Sequence, residues 1–381
     1  MTARRTFRIL SIQPVADGGG SEVALIRLFR CLAGRGWECH VAVPEQARLA
    51  DEYAASGAAV HVVGMARLTT SGGPVRWVRY AAGWPPTVAR LARLARDLDV
   101  DVVHSNSLHS WHGWAAAALS SRPHVWHARE IVFQSPYALR VERWLARRFA
   151  DRVVAVSDAV AAQLDPANVV VVTDEADPDR FGPERAGRFR AGAGIADDVA
   201  LVGSVARLDT WKGFEVLLDA VADMQAARPG LEVAVAGGAV EGKEDYAAAL
   251  RRRAGAMAGV HWLGRRADVE DLMADLDVFV QVSTEPEPYG LVLVEALASG
   301  VPVVAGAAGG PLEILRGLPE QAGRLVPPGD AAALASAVVS LLPEGPSSAE
   351  RRRARGVLRR PSPDGAAEIF EAAARRRRRG G

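Results

Sequence analysis

Apolar residues in this chain come in short β-branched runs, set between longer stretches of Ala, Leu and Arg with helical spacing. The runs at 7–12, 38–43, 59–63, 100–104, 124–127, 152–156 and 168–172 are mostly continuous rather than alternating. Continuous apolar strands mark a sheet covered on both faces, the parallel sheet of α/β proteins. Helices are expected between them, among them 22–32 and 84–98. The second half repeats the order, with strands at 200–205, 231–236, 260–263, 278–282, 301–305 and 324–326. Its first helix is legible from Phe214, Leu217, Leu218 and Val221 at i, i+3, i+4 and i+7. Strand and helix in alternation predict an α/β fold of two Rossmann-like domains. The stretch 174–196, rich in Asp, Pro, Gly and Arg and with little period, reads as a linker. The domains then span 1–174 and 175–348, with 349–381 left as an Arg-rich C-terminal helical tail. Ligands of such sheets bind beyond the carboxyl ends of the strands, which places the expected site in a cleft between the domains.

A length of 381 residues agrees with two domains. Hydrophobic residues make up 49%, which excludes a mainly disordered chain. The formal net charge is +1, so a nucleic-acid partner would meet no global cationic field, and none is expected. Cys31 and Cys39 are too few for a disulfide scaffold or a four-thiolate metal site. They read as small buried side chains in a reducing compartment. No apolar run reaches the roughly 18 residues of a membrane helix. The run at 7–12 is broken by Arg8 and stopped by Gln13-Pro14, too short for a secretory core, so the expected location is the cytoplasm. Arginine runs at 351–353, 359–360 and 375–379 read as a solvated helix with a frayed end, whose removal from 375 onward should leave activity unchanged. The second reading of that tail is a weak peripheral contact with the inner face of an anionic membrane.

Four clusters carry candidate chemistry. Asp17-Gly18-Gly19-Gly20-Ser21-Glu22 follows the first strand and opens a helix, where free N–H groups suit an anion. It lacks the spacing of the dinucleotide fingerprint, and a plain turn explains it as well. Arg207-Leu208-Asp209-Thr210-Trp211-Lys212-Gly213 follows the first strand of the second domain. Two cations there suit a diphosphate, and Lys212 is one of only two lysines, the other being Lys243. Glu285-Pro286-Glu287-Pro288-Tyr289-Gly290-Leu291 runs toward Glu295. Pro288 suits a first helical turn, which sets Glu287 at the helix mouth with the amides of Tyr289, Gly290 and Leu291. Carboxylates and amide donors together suit the hydroxyls of a sugar. His104 and His127 close two strands, with Arg129 just beyond, and Trp111 and Trp114 stand beside His109 and His112. No zinc spacing is present. Asp99-Val100-Asp101 and Asp275-Leu276-Asp277 have the spacing of metal–nucleotide sites, but precede their strands and read as turns or helix ends.

With these residues in place the chain resembles a retaining GT-B glycosyltransferase, similar to glycosyltransferase family 4. The resemblance rests on Glu287 and Glu295 within Glu-Pro-Tyr-Gly and Glu-Ala-Leu-Ala-Ser-Gly-Val-Pro, preceded by Val205-Ala206-Arg207-Leu208 and Lys212-Gly213. Gly309-Gly310-Pro311-Leu312-Glu313 and Leu325-Val326-Pro327-Pro328-Gly329-Asp330 follow in order. The resemblance implies that Arg207 and Lys212 hold a donor diphosphate and that Glu287 grips the donor sugar. It implies a ribose contact at Glu295, a base contact at Gly264 and Arg265, and loop approach at Gly19. It makes His127 the active-site histidine, and His104, Trp111 and Arg129 acceptor contacts. The implied partners are a UDP- or GDP-sugar donor and an acceptor hydroxyl on a natural product, polysaccharide or lipid-linked intermediate. No metal and no cofactor are implied. A nucleotide-sugar epimerase of the same architecture and a degenerate partner subunit are the alternatives. The chain departs from the family at Asp174-Glu175-Ala176-Asp177, where many relatives have Asn-Gly-Val-Asp, and at Tyr289, where Phe is usual.

Overall fold

The computed structural model describes residues 6–15, 18–45, 47–65, 73–133, 135–164, 166–345, 348–353, 355–358 and 365–380. The chain divides into two compact units, 1–174 with 363–381, and 175–362. The tail is therefore not a unit of its own: its first part packs with the second unit and its last part with the first.

In the first unit the strands are β1 (Arg8–Ile12), β2 (Glu38–Val43), β3 (Ala58–Val62), β4 (Val102–Ser105), β5 (His124–Ala128), β6 (Arg152–Ala155) and β7 (Val169–Val171). They form a parallel sheet in the order β3-β2-β1-β4-β5-β6-β7. The helices are α1 (Gly20–Gly34), α2 (Ala50–Ala55), α3 (Gly73–Asp97), α4 (Trp111–Ser120), α5 (Pro136–Phe149) and α6 (Asp158–Ala162). Alternate strand residues face opposite sides. Ile9, Val41, Val102 and Val125 pack on Leu25 and Phe29 of α1, while Leu10, Ala42 and Val103 pack on Leu91 and Ala95 of α3. Helix α3 starts before Trp84 and runs through Pro85 and Pro86, whose missing N–H groups cost it two backbone bonds. Cys39 is buried, whereas Cys31 is only half-buried.

The second unit repeats the plan with β8 (Leu201–Val205), β9 (Glu232–Ala236), β10 (Val260–Gly264), β11 (Val278–Gln281), β12 (Val303–Gly306) and β13 (Gly323–Val326). The order is β10-β9-β8-β11-β12-β13, again parallel. Its helices are α7 (Arg188–Ala193), α8 (Phe214–Ala227), α9 (Glu244–Gly255), α10 (Val269–Asp275), α11 (Leu291–Ala298), α12 (Pro311–Ile314), α13 (Ala331–Leu341) and α14 (Ala349–Arg353). Phe214, Leu217, Leu218 and Val221 all enter the core with Val202, Val278 and Leu334. In both sheets the strand order reverses beside the first strand, at β1/β4 and at β8/β11. Such switch points open a crevice at the carboxyl ends.

The expected linker is packed structure from 181 on. Phe181, Phe189 and Ile195 are buried, and Arg190, 2% exposed, holds the Asp275-Leu276-Asp277 turn. Its amide donates to Asp275 Oδ2 at 2.9 Å and its Nη2 to Asp277 Oδ2 at 3.0 Å. Arg352 of α14 donates to Asp275 at 3.2 Å, and Arg355 to Asp277 at 2.7 Å. The first unit has the same device. The last helix, α15 (Ala366–Gly380), buries Ala366, Ala367, Phe370, Ala373 and Ala374 in the α1 face. Its Arg378 forks onto both oxygens of Asp101 at 2.9 and 2.8 Å, and Arg377 donates to Asp99 at 2.8 Å. The equivalence extends to the backbone. Asp101 accepts from the Arg8 amide and Asp277 from the Leu201 amide, both at 2.9 Å, at the start of β1 and β8. The tail's arginines are thus not a wholly solvated, frayed run, because several are spent on buried carboxylates.

Candidate functional site

The second unit has a cluster of polar side chains at the carboxyl ends of β8 and β11. After β8 the chain makes a 3₁₀ turn, Thr210–Lys212, and reverses at Gly213, whose φ is +75°. A Cβ at Gly213 would lie 1.9 Å from the Val282 carbonyl oxygen, so only glycine lets this turn press against the chain leaving β11. The Thr284 amide donates to the Trp211 carbonyl at 2.8 Å and completes the join. The join brings Lys212 onto Glu287. Its Nζ donates to both carboxylate oxygens, at 3.0 and 2.7 Å, and stands 3.9 Å from the centre of the Trp211 ring, a cation–π contact. Gln281 Nε2 and Ser283 Oγ donate to Glu287 Oε2 at 2.7 and 2.8 Å. Neither residue is part of a sequence pattern; their position at the end of β11 is the only signal for them.

The backbone of Glu287 is fixed by the loop after β12. Its amide donates to Ala308 at 3.3 Å and its carbonyl accepts from Gly310 at 2.8 Å. A Cβ at Gly309 would stand 2.1 Å from that carbonyl oxygen, which accounts for the glycine pair. Burial pulls the Lys212 ammonium below its ordinary pKa, and Glu287 opposes that pull. Both lysines serve this loop, since Lys243 at the head of α9 pairs with Asp209. Burial alone would push the Asp209 carboxyl up; Lys243 and Arg207 reverse this and hold it below the carboxylate range. Arg207 is half-buried and its charge reaches both Lys212 and Asp209.

Pro288 is not in a first helical turn. Helix α11 starts at Leu291, because Gly290 takes a left-handed φ of +103° at its cap. Glu287 therefore sits in an extended segment ahead of the helix, and the Tyr289 amide is not part of the helix mouth. Tyr289 is buried, and Glu295, also buried, lies in the second turn of α11. Arg180, bonded to Glu270 at 2.8 Å, also feels the Glu295 carboxylate. Gly264, with φ +64°, ends β10 and accepts from the Gly237 amide at 2.8 Å. Arg265 is exposed, its guanidinium over Gly238 in the loop after β9.

In the first unit Gly19 caps α1, and Asp17 lies outside the described residues. The amides of Gly18 and Gly19 are not open to an anion: buried Glu22 accepts from them at 2.5 and 3.0 Å. A hydrogen-bonded chain crosses the carboxyl ends of β1, β4 and β5. Asn106 donates to Gln13 at 2.8 Å, Arg129 Nε donates to Asn106 at 2.8 Å, and Arg129 also pairs with Asp174. Arg129, 8% exposed, is thus committed inside the unit rather than presented to an acceptor. His104 is fully buried, bonded to Ser11 at 3.0 Å and covered by the Phe370 ring, which corrects its expected acceptor contact. His127 is 2% exposed, with Arg129 Nη2 3.5 Å from its Nδ1. Arginine only donates, so Nδ1 accepts and the neutral ring keeps its proton on Nε2. That Nε2 has no hydrogen-bond partner among the described residues. Burial, then Arg129 and His104, keep the ring's pKa well below the usual value. Trp111 opens α4 half-buried, while Trp114 stacks on Phe149 at 4.3 Å. Among the described residues no three His, Cys, Asp or Glu side chains group to hold a metal.

Two family models match the chain. Glycosyl transferases group 1 matches residues 187–356 and Glycosyltransferase Family 4 matches residues 18–173. A lipopolysaccharide core biosynthesis mannosyltransferase, LpsB of Rhizobium meliloti, is 29% identical over 58% of this chain and 70% of its own length. A D-inositol 3-phosphate glycosyltransferase of a Mycobacterium species is 34% identical over 53% of this chain, which spans about half (47%) of that relative. HepE of Anabaena, crystallised with UDP and glucose, superposes with a TM-score of 0.76 at 26% identity, over 97% of this chain and 95% of that one. WaaG, from lipopolysaccharide biosynthesis, shares the fold with a TM-score of 0.64 at 16% identity, over 97% and 98%.

Proposed function

The chain belongs to the group 1 and family 4 glycosyltransferases of GT-B fold, and from that premise we propose that it moves a sugar from a nucleoside diphosphate to an acceptor hydroxyl, with retention at the sugar carbon. The observation that carries this reading is the Lys212–Glu287 pair at the β8/β11 switch point, with Arg207 beside it. Lys212 keeps one N–H beyond the two it gives Glu287, and Arg207 adds a second cation for the diphosphate. Charge that builds on the leaving diphosphate is met by these fixed groups, so no metal and no cofactor enter the scheme. Glu287, held by Gln281 and Ser283, is oriented to accept from the donor sugar's hydroxyls. The loop amides at Tyr289, Gly290 and Leu291 supplement it, Glu295 takes the ribose, and Gly264 and Arg265 border the base. His127 Nε2–H, buried and without a partner among the described residues, supplies a donor to the reacting sugar, and Trp111 borders the acceptor. We rank uridine first among the nucleotides, a choice supported by the likeness to HepE, with guanosine second.

The test is a metal-free thermal-shift panel of UDP, GDP, ADP and dTDP on the wild type and on Arg207→Ala/Lys212→Ala. A nucleotide at a hundred times its Kd adds about 2.7 kcal/mol to native stability. One nucleotide should raise the melting temperature of the wild type and not of the variant. Equal shifts in both proteins would remove Arg207 and Lys212 from the donor site, and no shift with any nucleotide would overturn the donor reading.

A further inference from the structure

Helix α5 wears apolar side chains on its outside. Tyr137, Val141 and Trp144, at i, i+4 and i+7, are 77%, 42% and 60% exposed and form one ridge along the helix. Phe133, just ahead of the helix, is 41% exposed. Arg148 prolongs the ridge at i+11, and Arg140, Arg143 and Arg147 flank it, all exposed. The helix's acidic residue, Glu142, is buried and bonded to His109 Nδ1 at 2.7 Å, so the outer face has no negative charge. The inner face is filled by Leu145 and Ala146. Scattered exposed apolar residues need no account, but a row of them with an arginine border does.

We propose that α5 docks this protein on an anionic lipid bilayer. Tyr and Trp rings settle at the depth of the headgroups, Val141 enters the acyl boundary, and the arginines meet lipid phosphates. A second copy of the chain would set one arginine row against another. A nucleic acid would use the cations and leave the aliphatic part of the ridge wet. The tail offers no equal surface, because α15 buries its apolar side and spends Arg377 and Arg378 on Asp99 and Asp101. Among the described residues no helix is long and apolar enough to cross a membrane. If the transfer proposed above is correct, a lipid-linked acceptor becomes the favoured class; the docking itself does not depend on that reading.

The experiment is co-sedimentation of the full chain with vesicles of phosphatidylcholine alone or mixed equally with phosphatidylglycerol, at low and high salt. Binding is expected to the anionic vesicles and to weaken with salt. Tyr137→Ser/Trp144→Ser should lower it at least about tenfold, and Arg140→Ala/Arg148→Ala about 25-fold, near fivefold per charge. These side chains are exposed, so melting curves should stay close to wild type and separate lost docking from lost folding. Fluorescence quenching by brominated acyl chains should fall in Trp144→Phe. The proposal is overturned if the wild type ignores anionic vesicles, if either double variant binds as well as wild type, or if single-stranded RNA is retained in place of vesicles.

Discussion

The Lys212 and Glu287 side chains are only 10% and 9% exposed, and each is the other's counterion. Removing one partner strands a charge in a poorly polar site, at about 3–5 kcal/mol. Lys212→Ala should therefore lower unfolding stability in urea by about 3 kcal/mol. Lys212→Met combined with Glu287→Gln should recover most of that loss, since no lone charge remains. Additive losses would dissolve the coupling. On the proposed role of Glu287 as acceptor for the donor sugar's hydroxyls, Glu287→Gln alone should cut transfer about a hundredfold. The buried histidines give a pH signature. Burial lowers His112 to about 4 and His124 to about 3, and holds His104 and His127 well below their usual value. The folded values lie below the unfolded one, so acid protonates the unfolded chain first. Their contribution to stability is complete above about pH 6.5 and drains as pH falls toward the folded values, by about 1.4 kcal/mol per pH unit for each ring. Melting temperature should fall steadily between pH 6.5 and 4; a flat profile would mean that these rings are not held neutral.

At the scale of elements, the loops around the Lys212–Glu287 pair are shaped by glycines where no side chain fits. Gly213 and Gly309 share a φ of +75° with Gly317, but at the first two a Cβ would meet backbone oxygen within 2.1 Å, whereas at Gly317 it would meet nothing within 4 Å. Gly317→Ala should cost about 1 kcal/mol, the left-handed penalty alone. Gly213→Ala and Gly309→Ala should each cost about 3 kcal/mol, because backbone must also move. Equal losses at the three positions would show that close approach is unimportant. The strands were legible because a strand buried on both faces must be apolar throughout, whatever lies above it. Element ends were less legible. The Pro288-Tyr289-Gly290 segment has the chemistry of a helix start, yet Gly290's left-handed turn delays α11 to Leu291. Helix α3 runs through two prolines that by local rule should have opened it.

Over the whole molecule, the two units share one arginine-on-aspartate device. Arg377→Ala/Arg378→Ala leaves Asp101, 3% exposed, without the two guanidinium groups that α15 sets against it. A loss of about 3 kcal/mol in denaturant unfolding is expected. Removal of residues 375–381 should therefore destabilise the first unit, a cost separate from the unchanged activity that the tail's composition suggests. An unchanged unfolding midpoint would return the tail to the status of a solvated end.

The alternation of apolar runs, the cations at Arg207 and Lys212 and the carboxylates at Glu287 and Glu295 stand in the sequence, because each answers to a local demand: a doubly covered strand, a loop at a strand end, a charge in an apolar helix. Tertiary structure alone decided which of them meet. Gln281 and Ser283 gained a role from the fold of one short loop onto Glu287. Glu22 took the glycine loop's amides. Arg378 found Asp101 across 277 residues of chain. His104, at a strand end in the sequence, lies under Phe370 of a helix near the other end of the chain. A side chain's type records what it can bond; the packing of distant segments determines whether that bond is made inside the protein or left for a ligand.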